Sequence, residues 1–400
     1  MLSSSRLPRF TRIGLLAALI ALIGLGSGCG PTNNLPELTG EYAYVANAGD
    51  GSISVFSIDT TTGALTLIQN VPVMPGYRVF GLALHWSNEF LYSTIDDASE
   101  VEEFDIGDGS YSGQIFLHNG PYPADNGPRA VALNPKGTYL FATNYGGIAQ
   151  TVSQYTVNQS TGVLTANGTA PTGVRPFGIA VDPAGNCAYV ANTGDPSVYE
   201  YGITSTGTLS FGTKVSVGSP SEGPGPELVA VQDNPSKTTA FNGETVYVTD
   251  DNLGVVHQLP VIERFIGISC ETGDVLDVSA KGKAFGIALH PKGTFLFTGN
   301  SSSNSISVFL VASTGELTLI GQTTTNARGV LSLAVDLQGK FLYAANYDNG
   351  TIAQYLINPI TGGLTPIGTG TVNTENPANS GSGPITIVTT RSSTTIIHKL

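Results

Sequence analysis

The sequence predicts an all-β fold: a single seven-bladed β-propeller with four strands in each blade and a ring closed by the C-terminal strand. Three observations predict it: a phrase that returns seven times, a composition rich in turn residues, and a final strand that completes the first repeat. The seven copies of the phrase end at Asn47, Ile95, Asn144, Asn192, Asp250, Asn300 and Asn346. These residues are 48, 49, 48, 58, 50 and 46 positions apart. Such a period, built only from strands and turns, is typical of a propeller blade.

The composition supports the same fold. The 400 residues include 50 glycines, only 12% are charged, and no long amphipathic helical run is present. Tight hairpin turns need positive φ angles that glycine adopts readily. An array of like units also favours one domain over the two or three that the length would suggest.

A whole blade is easiest to delimit in the fourth repeat. The pattern predicts strand A at 177–183, strand B at 187–192, strand C at 197–203 and an outer strand D at 209–215. A second phrase, Thr-Gly-x-Leu-Thr, is expected to close the hairpin between strands C and D. It begins at Thr62, Thr161, Thr314 and Thr361.

The first repeat lacks a strand A, because it begins with strand B at Tyr42. The missing strand is predicted at 383–388, whose start, Gly383-Pro384, matches the start of strand A at Gly127-Pro128. The C-terminal segment should therefore pair with the first blade and remove the free sheet edges. The propeller is predicted over 41–390, followed by a tail at 391–400.

The N-terminus has the pattern of an export signal at 1–29. Arg6, Arg9 and Arg12 precede an apolar run at 13–25, and small residues lead to Cys29. The ending resembles a bacterial lipobox, with its leucine one position early, so we expect lipidation of Cys29 and a tether at 30–40. Ordinary cleavage after residue 28 is the alternative. The protein is expected to be exported and lipid-anchored in the cell envelope, or otherwise secreted or periplasmic.

The net charge narrows the classes of partner, and the cysteine positions give a separate structural expectation. Removing the three leader arginines changes the formal net charge from −13 to −16. A surface this acidic repels nucleic acids and anionic lipid headgroups, so we expect no nucleic-acid partner and membrane contact only through the anchor. Cys187 stands where the last repeat has Phe341, which predicts a buried thiol. A disulfide with Cys270 is permitted in an exported protein.

One position near the start of strand A departs from its pattern. It is occupied by Phe80, Arg129, Phe177, Glu227, Phe285, Leu331 and Ile385. A cation and an anion at a position that is otherwise apolar suggest a functional site at the axial funnel. The alternatives are that Arg129 and Glu227 turn outward or pair with neighbours.

Basic residues gather just before this position. Arg78, Arg175 and Lys283 lie two residues earlier, and Arg328 lies nearby in the seventh repeat. A cationic mouth on an acidic protein would attract a small anion. Alternatively, these cations pair with acids of the facing turns between strands B and C: Asp50, Asp97, Asp195, Asp250, Asp251 and Asp348.

No metal or cofactor is predicted. The Asp- and Asn-rich turns at 47–51 and 346–350 lack the acidic residue that completes a calcium loop. The five histidines and three cysteines show no zinc-ligand spacing.

The sequence from Gly286 through Asn300 to Phe309 resembles a blade of the seven-bladed lactonase family, which includes the propeller-type 6-phosphogluconolactonases. The phrases at 44–47 and 247–250 also resemble those of YVTN-repeat propellers. The first resemblance implies the same fold and lactone hydrolysis. It places Asp195 and Arg328 at positions matching family motifs, and Asp251 where the family has a Glu. Glu227 and Leu228, however, stand where the family has Arg and His, and the family's fourth-blade histidine is also absent.

Two functions follow from this pattern. The first is an exported binding or interaction module for a small anionic or sugar-derived ligand, or for an envelope protein. The second is a hydrolase that opens an extracellular lactone with a rebuilt site. In that case Asp251 or Glu227 would be the base, and Arg129, Arg175 or Arg328 would stabilise the developing oxyanion.

Overall fold

The computed structural model describes residues 40–147, 150–218, 225–233, 244–262, 270–374 and 383–390. The predicted leader at 1–29, with Cys29, and the tail at 391–400 lie outside this range, as does nearly all of the tether at 30–40. The described residues form seven antiparallel sheets, which we call blades 1 to 7. No helix in the described part of the chain has both the length and the apolar character needed to cross a membrane.

The first two blades contain the strands up to residue 123. Blade 1 holds β1 (Glu41–Asn47), β2 (Ser52–Ile58) and β3 (Leu65–Pro72). Blade 2 holds β4 (Val79–Leu84), β5 (Phe90–Ile95), β6 (Glu100–Ile106), β7 (Ile115–Leu117) and the short β8 (Tyr122–Pro123), which also pairs with β6. A 3-10 turn at Gly109–Tyr111 lies between β6 and β7.

Blades 3 and 4 follow the regular four-strand plan. Blade 3 holds β9 (Pro128–Leu133), β10 (Tyr139–Asn144), β11 (Thr151–Val157) and β12 (Leu164–Pro171). Blade 4 holds β13 (Pro176–Val181), β14 (Cys187–Asn192), β15 (Ser197–Ile203) and β16 (Leu209–Ser216).

The remaining blades repeat it. Blade 5 holds β17 (Pro226–Asp233), β18 (Glu244–Asp250), β19 (Val255–Pro260) and β20 (Leu276–Ser279). Blade 6 holds β21 (Ala284–Leu289), β22 (Phe295–Asn300), β23 (Ser305–Val311) and β24 (Leu317–Thr324). Blade 7 holds β25 (Val330–Val335), β26 (Phe341–Asn346), the 3-10 turn Tyr347–Asn349, β27 (Thr351–Ile357) and β28 (Leu364–Asn373).

The last strand, β29 (Pro384–Thr389), closes the ring as predicted. It pairs with β1 in blade 1, with Ala43 opposite Thr389 and Asn47 opposite Pro384. Beyond the strand, the Thr390 amide donates to the Tyr42 carbonyl, and the Tyr42 amide donates to Thr390 Oγ1. The strands A of neighbouring blades contact each other all the way round, so the ring is continuous.

The two repeated phrases meet at the seams between blades. In blades 2, 5 and 7 the tyrosine that begins the first phrase donates its hydroxyl to a glycine carbonyl in the outer hairpin of the next blade. Tyr343 reaches Gly63, Tyr92 reaches Gly162 and Tyr247 reaches Gly315, at 2.9, 2.7 and 2.6 Å. Each of these glycines has a positive φ, which explains why the Thr-Gly phrase recurs. These bonds therefore link blade 7 to blade 1, blade 2 to blade 3 and blade 5 to blade 6.

The cysteines correct one expectation from the sequence. Cys187 is buried as predicted, but it is not a free thiol: it forms a disulfide with Cys270, with the two Cα atoms 5.5 Å apart. Cys187 lies in β14 of blade 4, and Cys270 lies between β19 and β20 of blade 5. The bond therefore joins two blades across a sequence separation of 83 residues. The repeat pattern shows where Cys187 lies in its strand but not what faces it from the next blade.

Candidate functional site

Seven residues occupy the second position of the innermost strands, and we call them the axial layer: Phe80, Arg129, Phe177, Glu227, Phe285, Leu331 and Ile385. Phe177 packs edge-on against both Phe80 and Phe285, with ring centroids 5.6 and 5.5 Å apart. These three rings belong to blades 2, 4 and 6. Side chains from alternate blades touch only where the blades converge, so the axial layer lies at the axis of the ring.

Glycines let the charged members of this layer come close to their neighbours. Gly178 follows Phe177, and a Cβ atom there would lie 2.4 Å from the carbonyl oxygen of Glu227. Gly81 follows Phe80 and stands in the same relation to Arg129, also at 2.4 Å. Real Cβ atoms do not approach backbone so closely, so a side chain at either glycine would push two blades apart.

A threonine at the end of strand B fixes the backbone of the layer. Thr94 Oγ1 donates to the Arg129 carbonyl at 2.6 Å and accepts from the Gly81 amide at 2.8 Å. Thr249 links Leu228 to Phe285 in the same way. The axial side chains are therefore held by rigid elements, as a preorganised site requires.

Arg129 points inward and is paired. Its Nη2 lies 3.0 Å from Asp96 Oδ2, and its guanidinium carbon lies 4.3 Å from the centre of the Phe80 ring and 4.5 Å from that of Tyr145. Cation–π contacts of this kind stabilise a partly desolvated guanidinium. Burial lowers the pKa of Arg129, and the Asp96 charge opposes that shift. Its Nε has no hydrogen-bond partner among the described residues.

Glu227 also points inward, but no cation is bonded to it among the described residues. It is 8% exposed, and its Oε2 has no hydrogen-bond partner within the described part of the chain. Burial raises the pKa of Glu227 well above its ordinary value, the charges of Asp251 and Asp250 raise it further, and Arg129 lowers it. The protonated carboxyl therefore persists to an unusually high pH, and the group becomes a base only above that pH.

The residue that follows each strand B forms a second ring next to the axial layer: Ala48, Asp96, Tyr145, Thr193, Asp251, Ser301 and Tyr347. Asp96 and Asp251 thus hold equivalent positions in blades 2 and 5, one near Arg129 and the other near Glu227. Asp251 is partly exposed and accepts a hydrogen bond from Ser301 Oγ at 2.8 Å. The second ring holds Asp251, a predicted base, near enough for its charge to raise the pKa of Glu227.

The predicted cationic mouth is only partly free. Arg78 binds Asp97 through two nitrogens and also lies 2.8 Å from Asp96, so for this residue the pairing alternative holds. Lys283 Nζ lies 3.9 Å from Asp251. Asp195 is also occupied: Lys214 donates to it at 2.7 Å and the Val174 amide at 2.8 Å.

Arg175 and Arg328 differ from these residues. Both are exposed, and neither forms an ion pair with a described residue. Arg175 has a φ of 53°, and its carbonyl accepts hydrogen bonds from the amide and hydroxyl of Thr193, so its backbone is fixed, while its exposed side chain forms no ion pair within the described part of the chain. Judged by the described residues, these two arginines of the predicted mouth are available to an anion.

Sequence reasoning overlooked a buried histidine. His257 Nδ1 lies 2.6 Å from Asp277, and its Nε2 lies 3.4 Å from Asp250. Asp250 pairs in the sheet with Pro226, the residue before Glu227. The equivalent position of strand C holds Ser54, Ser153 and Ser307 in blades 1, 3 and 6, and Glu102, Tyr199 and Ala353 in blades 2, 4 and 7. Because this position varies among the blades, the repeat alone gives little signal for His257, and metal-ligand spacing gives none.

The described residues contain no group of three or more His, Cys, Asp or Glu side chains arranged to hold a metal ion. The functional groups that the geometry brings together are carboxylates, arginines and aromatic rings.

Comparison with known proteins agrees with this architecture. The chain is 25% identical over 343 residues to a 6-phosphogluconolactonase of Serratia proteamaculans, covering 82% of this chain and 97% of the relative. It is 24% identical to a 6-phosphogluconolactonase of Pectobacterium atrosepticum, covering 82% of this chain and 94% of the relative. Among solved structures, a periplasmic gluconolactonase of Pseudomonas aeruginosa has the same fold, with a TM-score of 0.69 at 16% identity over 88% of this chain and 99% of the other.

A Bacteroides fragilis protein provisionally assigned as a 6-phosphogluconolactonase has a TM-score of 0.70 at 18% identity, covering 90% of this chain and all of the other. The sequence model described as "Lactonase, 7-bladed beta-propeller" matches residues 81–229 and 267–378, which is more than half of the chain. Both ranges carry the phrase repeats that build the ring, and the first contains Arg129 and Glu227. The chain therefore belongs to the seven-bladed β-propeller lactonase family.

Proposed function

We propose that this protein is an exported hydrolase that opens a sugar-derived lactone at the axial layer. The observation that carries the proposal is a pair of charged residues at one axial position, the partly buried Arg129 and the buried Glu227, each with a polar atom that has no partner among the described residues. The aromatic rings of Phe80, Phe177 and Tyr145 surround Arg129. Family relatives that act on a lactone support the same reaction class.

The proposed chemistry uses the two sides of the layer differently. Glu227, in its ionised form, takes a proton from a water molecule as that water attacks the lactone carbonyl carbon. Negative charge develops on the carbonyl oxygen, and the Arg129 guanidinium stabilises it. The ring C–O bond then breaks, the proton passes to the leaving oxygen, and the product is a hydroxy acid. Asp251 is the second candidate for the base, because its charge acts on Glu227 and its side chain is more accessible to water.

The test is proton release, followed in a pH-stat with purified protein and a panel of sugar and aliphatic lactones. We expect turnover above the spontaneous rate, reduced by about 100-fold or more in Glu227→Gln, because removal of a general base typically costs that much. Asp251→Asn should have the smaller effect. Asp348→Asn, which removes an acid from the turn of blade 7, is the matched control and should leave the rate unchanged. A rate equal to that of buffer for every lactone would contradict the proposal.

A binding module is the second candidate, and the exposed side chains of Arg175 and Arg328, which form no ion pair with a described residue, favour it. Two exposed cations at the mouth of an acidic protein suit a carboxylate or phosphate ligand. Titration calorimetry with gluconate and a sugar phosphate tests this function. Binding that is lost in the Arg175→Gln, Arg328→Gln double variant, without lactone turnover in the parent protein, would favour the binding module over the hydrolase.

Export and anchoring remain part of the proposal. The disulfide between Cys187 and Cys270 supports an oxidising compartment, because such bonds are rare in reducing cytoplasm. Lipidation of Cys29 is proposed from the leader pattern alone. Mass spectrometry of the protein recovered from envelope membranes should show an acylated Cys29 at the N-terminus. In Cys29→Ala the protein should leave the membrane fraction. An unmodified N-terminus in soluble extract would favour the secreted or periplasmic alternative.

A further inference from the structure

Blade 5 departs from blades 1, 3 and 6 at the inner end of strands B and C. In blades 1, 3 and 6 the final Asn of strand B donates to hydroxyl groups on strand C. The bonds run from Asn47 to Ser52 and Ser54, from Asn144 to Thr151 and Ser153, and from Asn300 to Ser305 and Ser307. All of these groups are neutral. In these three blades the buried Asn and the hydroxyl groups it contacts therefore form a structural network of neutral groups, although Ser52 and Thr151 also donate to Asp50 and Asp125.

Blade 5 replaces this network with ionisable side chains. Asp250 takes the place of the Asn, Val255 that of the first hydroxyl residue, and His257 that of the second. The register puts Val248 opposite His257, so Asp250, two residues further on, lies diagonally across on the same face of the sheet. Asp277 lies directly opposite His257 on strand D. The three side chains form one chain across three strands.

This chain runs from solvent to the axial layer. The Asp277 side chain is 51% exposed, whereas those of His257 and Asp250 are 1% exposed. Asp250 pairs with Pro226 in the sheet, and Pro226 immediately precedes Glu227. The Asp250 charge is one of the two negative charges that oppose ionisation of Glu227. Neutralisation of the Asp250 charge therefore favours the ionisation of Glu227.

We propose that Asp250, His257 and Asp277 are positioning residues that control the protonation of Glu227. A charged His257 neutralises Asp250 and so allows Glu227 to ionise, while Asp277 holds His257 in the charged form. The inference rests on the proposed function in that it concerns the same carboxyl group. The charge balance itself exists whether or not a lactone is turned over.

The local electrostatics agree with this assignment. Burial lowers the pKa of His257, but its hydrogen bonds with Asp250 and Asp277 outweigh that effect, so the net pKa is raised. Among the described residues, the charged groups that act on His257 are Asp250 and Asp277, and those that act on Glu227 are Asp251, Asp250 and Arg129. The buried imidazolium thus persists to a higher pH than that of an exposed histidine.

The test measures Glu227 ionisation without a substrate. The stabilisation conferred by Glu227→Gln is determined by denaturant unfolding from pH 4 to 9 in four backgrounds: parent, His257→Gln, Asp277→Asn and Asp277→Glu. In the parent background this stabilisation grows with pH until Glu227 is ionised in the folded protein and then reaches a plateau. Glu316→Gln, which removes one exposed acid from a hairpin of blade 6, is the matched control.

In His257→Gln and Asp277→Asn we expect the plateau to begin at a higher pH, by on the order of one unit, because Asp250 is no longer neutralised. Asp277→Glu should restore the parent value, and Glu316→Gln should not move it. If both His257→Gln and Asp277→Asn lower stability at every pH but leave the start of the plateau unchanged, the residues are merely structural and the inference is overturned.

Two features of this experiment make its result interpretable even if one variant does not fold or the protein turns over no lactone. Asp277 is half exposed, so Asp277→Asn tests the chain even where His257→Gln fails to fold. No lactone is present, so a protein without turnover still reports the shift. An unmoved plateau with intact turnover would overturn this inference alone, whereas a moved plateau without turnover would leave it standing and count against the hydrolase.

Discussion

Arg129 and Glu227 occupy the same position of strand A in blades 3 and 5, yet the groups that surround them differ. We call the surroundings of Arg129 and of Glu227 the two sides of the axial layer. Arg129 lies 3.0 Å from Asp96, with aromatic rings close to its guanidinium group. Glu227 has two acids near it, and its Oε2 has no partner among the described residues. The partly buried Arg129 thus has a bonded counterion (the compensated side), whereas the buried Glu227 has no cation bonded to it among the described residues (the uncompensated side). A buried acid surrounded by like charge costs stability, and such a cost is typical of functional sites.

Asp96 and Asp251 extend the comparison to the second ring. Both follow a strand B, but Asp96 lies between two arginines, and Asp251 accepts from a serine hydroxyl with Lys283 3.9 Å away. Burial raises the pKa of Asp96 and lowers that of Arg129, so desolvation works against both partners, while their mutual attraction offsets it. The intact ion pair therefore contributes little to the free energy of unfolding, whereas removal of one partner lowers it, because the other charge is left unpaired.

The largest effect should come from opening the ring, which would destroy both sides of the layer together. A chain that ends at residue 382 lacks β29, and blade 1 loses its innermost strand. We expect this chain to lose cooperative unfolding, measured by circular dichroism during heating. A soluble truncated protein with a sharp melting transition would contradict closure by β29.

The next largest effect should come from breaking the compensated side. Asp96→Ala leaves Arg129 buried without its counterion and should lower the free energy of unfolding by about 3–5 kcal/mol. Denaturant unfolding at neutral pH provides the measurement. A loss under about 1 kcal/mol would show that Asp96 is not needed as the counterion of Arg129.

Removal of the Glu227 carboxyl should raise stability, whereas Asp96→Ala lowers it. The folded pKa of Glu227 lies above the unfolded value, so the folded protein holds the proton more tightly and stability falls as pH rises from the unfolded to the folded pKa. Glu227→Gln removes this loss, with a gain of about 1.4 kcal/mol for each unit between the two values. We therefore expect a more stable variant at pH 8 and equal stabilities near pH 4. Melting temperatures across this range test the sign, and a variant less stable at pH 8 would refute it.

The smallest effect should come from the exposed part of the Arg78 network. The Arg78 and Asp97 side chains are 46% and 40% exposed, and solvent screens such pairs strongly. Asp97→Asn should lower the free energy of unfolding by less than about 1 kcal/mol, well below the cost of Asp96→Ala. Equal losses in the two variants would show that burial does not separate the two ion pairs.

Much of the molecule could be predicted from repetition. The seven phrases located strand B in each blade, the Gly383-Pro384 start located the closing strand, and the axial position of Arg129 and Glu227 followed from alignment of the repeats. These inferences succeed because strand periodicity and turn chemistry act over a few residues and are copied along the chain. The same method misjudged Cys187, because a disulfide depends on the partner that the next blade presents.

The sequence by itself therefore determined the class of fold, the closure of the ring and which residues break the pattern of the axial layer. Only the tertiary structure decided which charges are compensated: Arg129 by Asp96, Arg78 by Asp97, and Asp195 by Lys214. It also decided that His257 joins Asp250 to Asp277. The physical reason is that pairing and desolvation act through space between side chains distant in sequence or on different strands, whereas the repeat is a property of neighbouring residues.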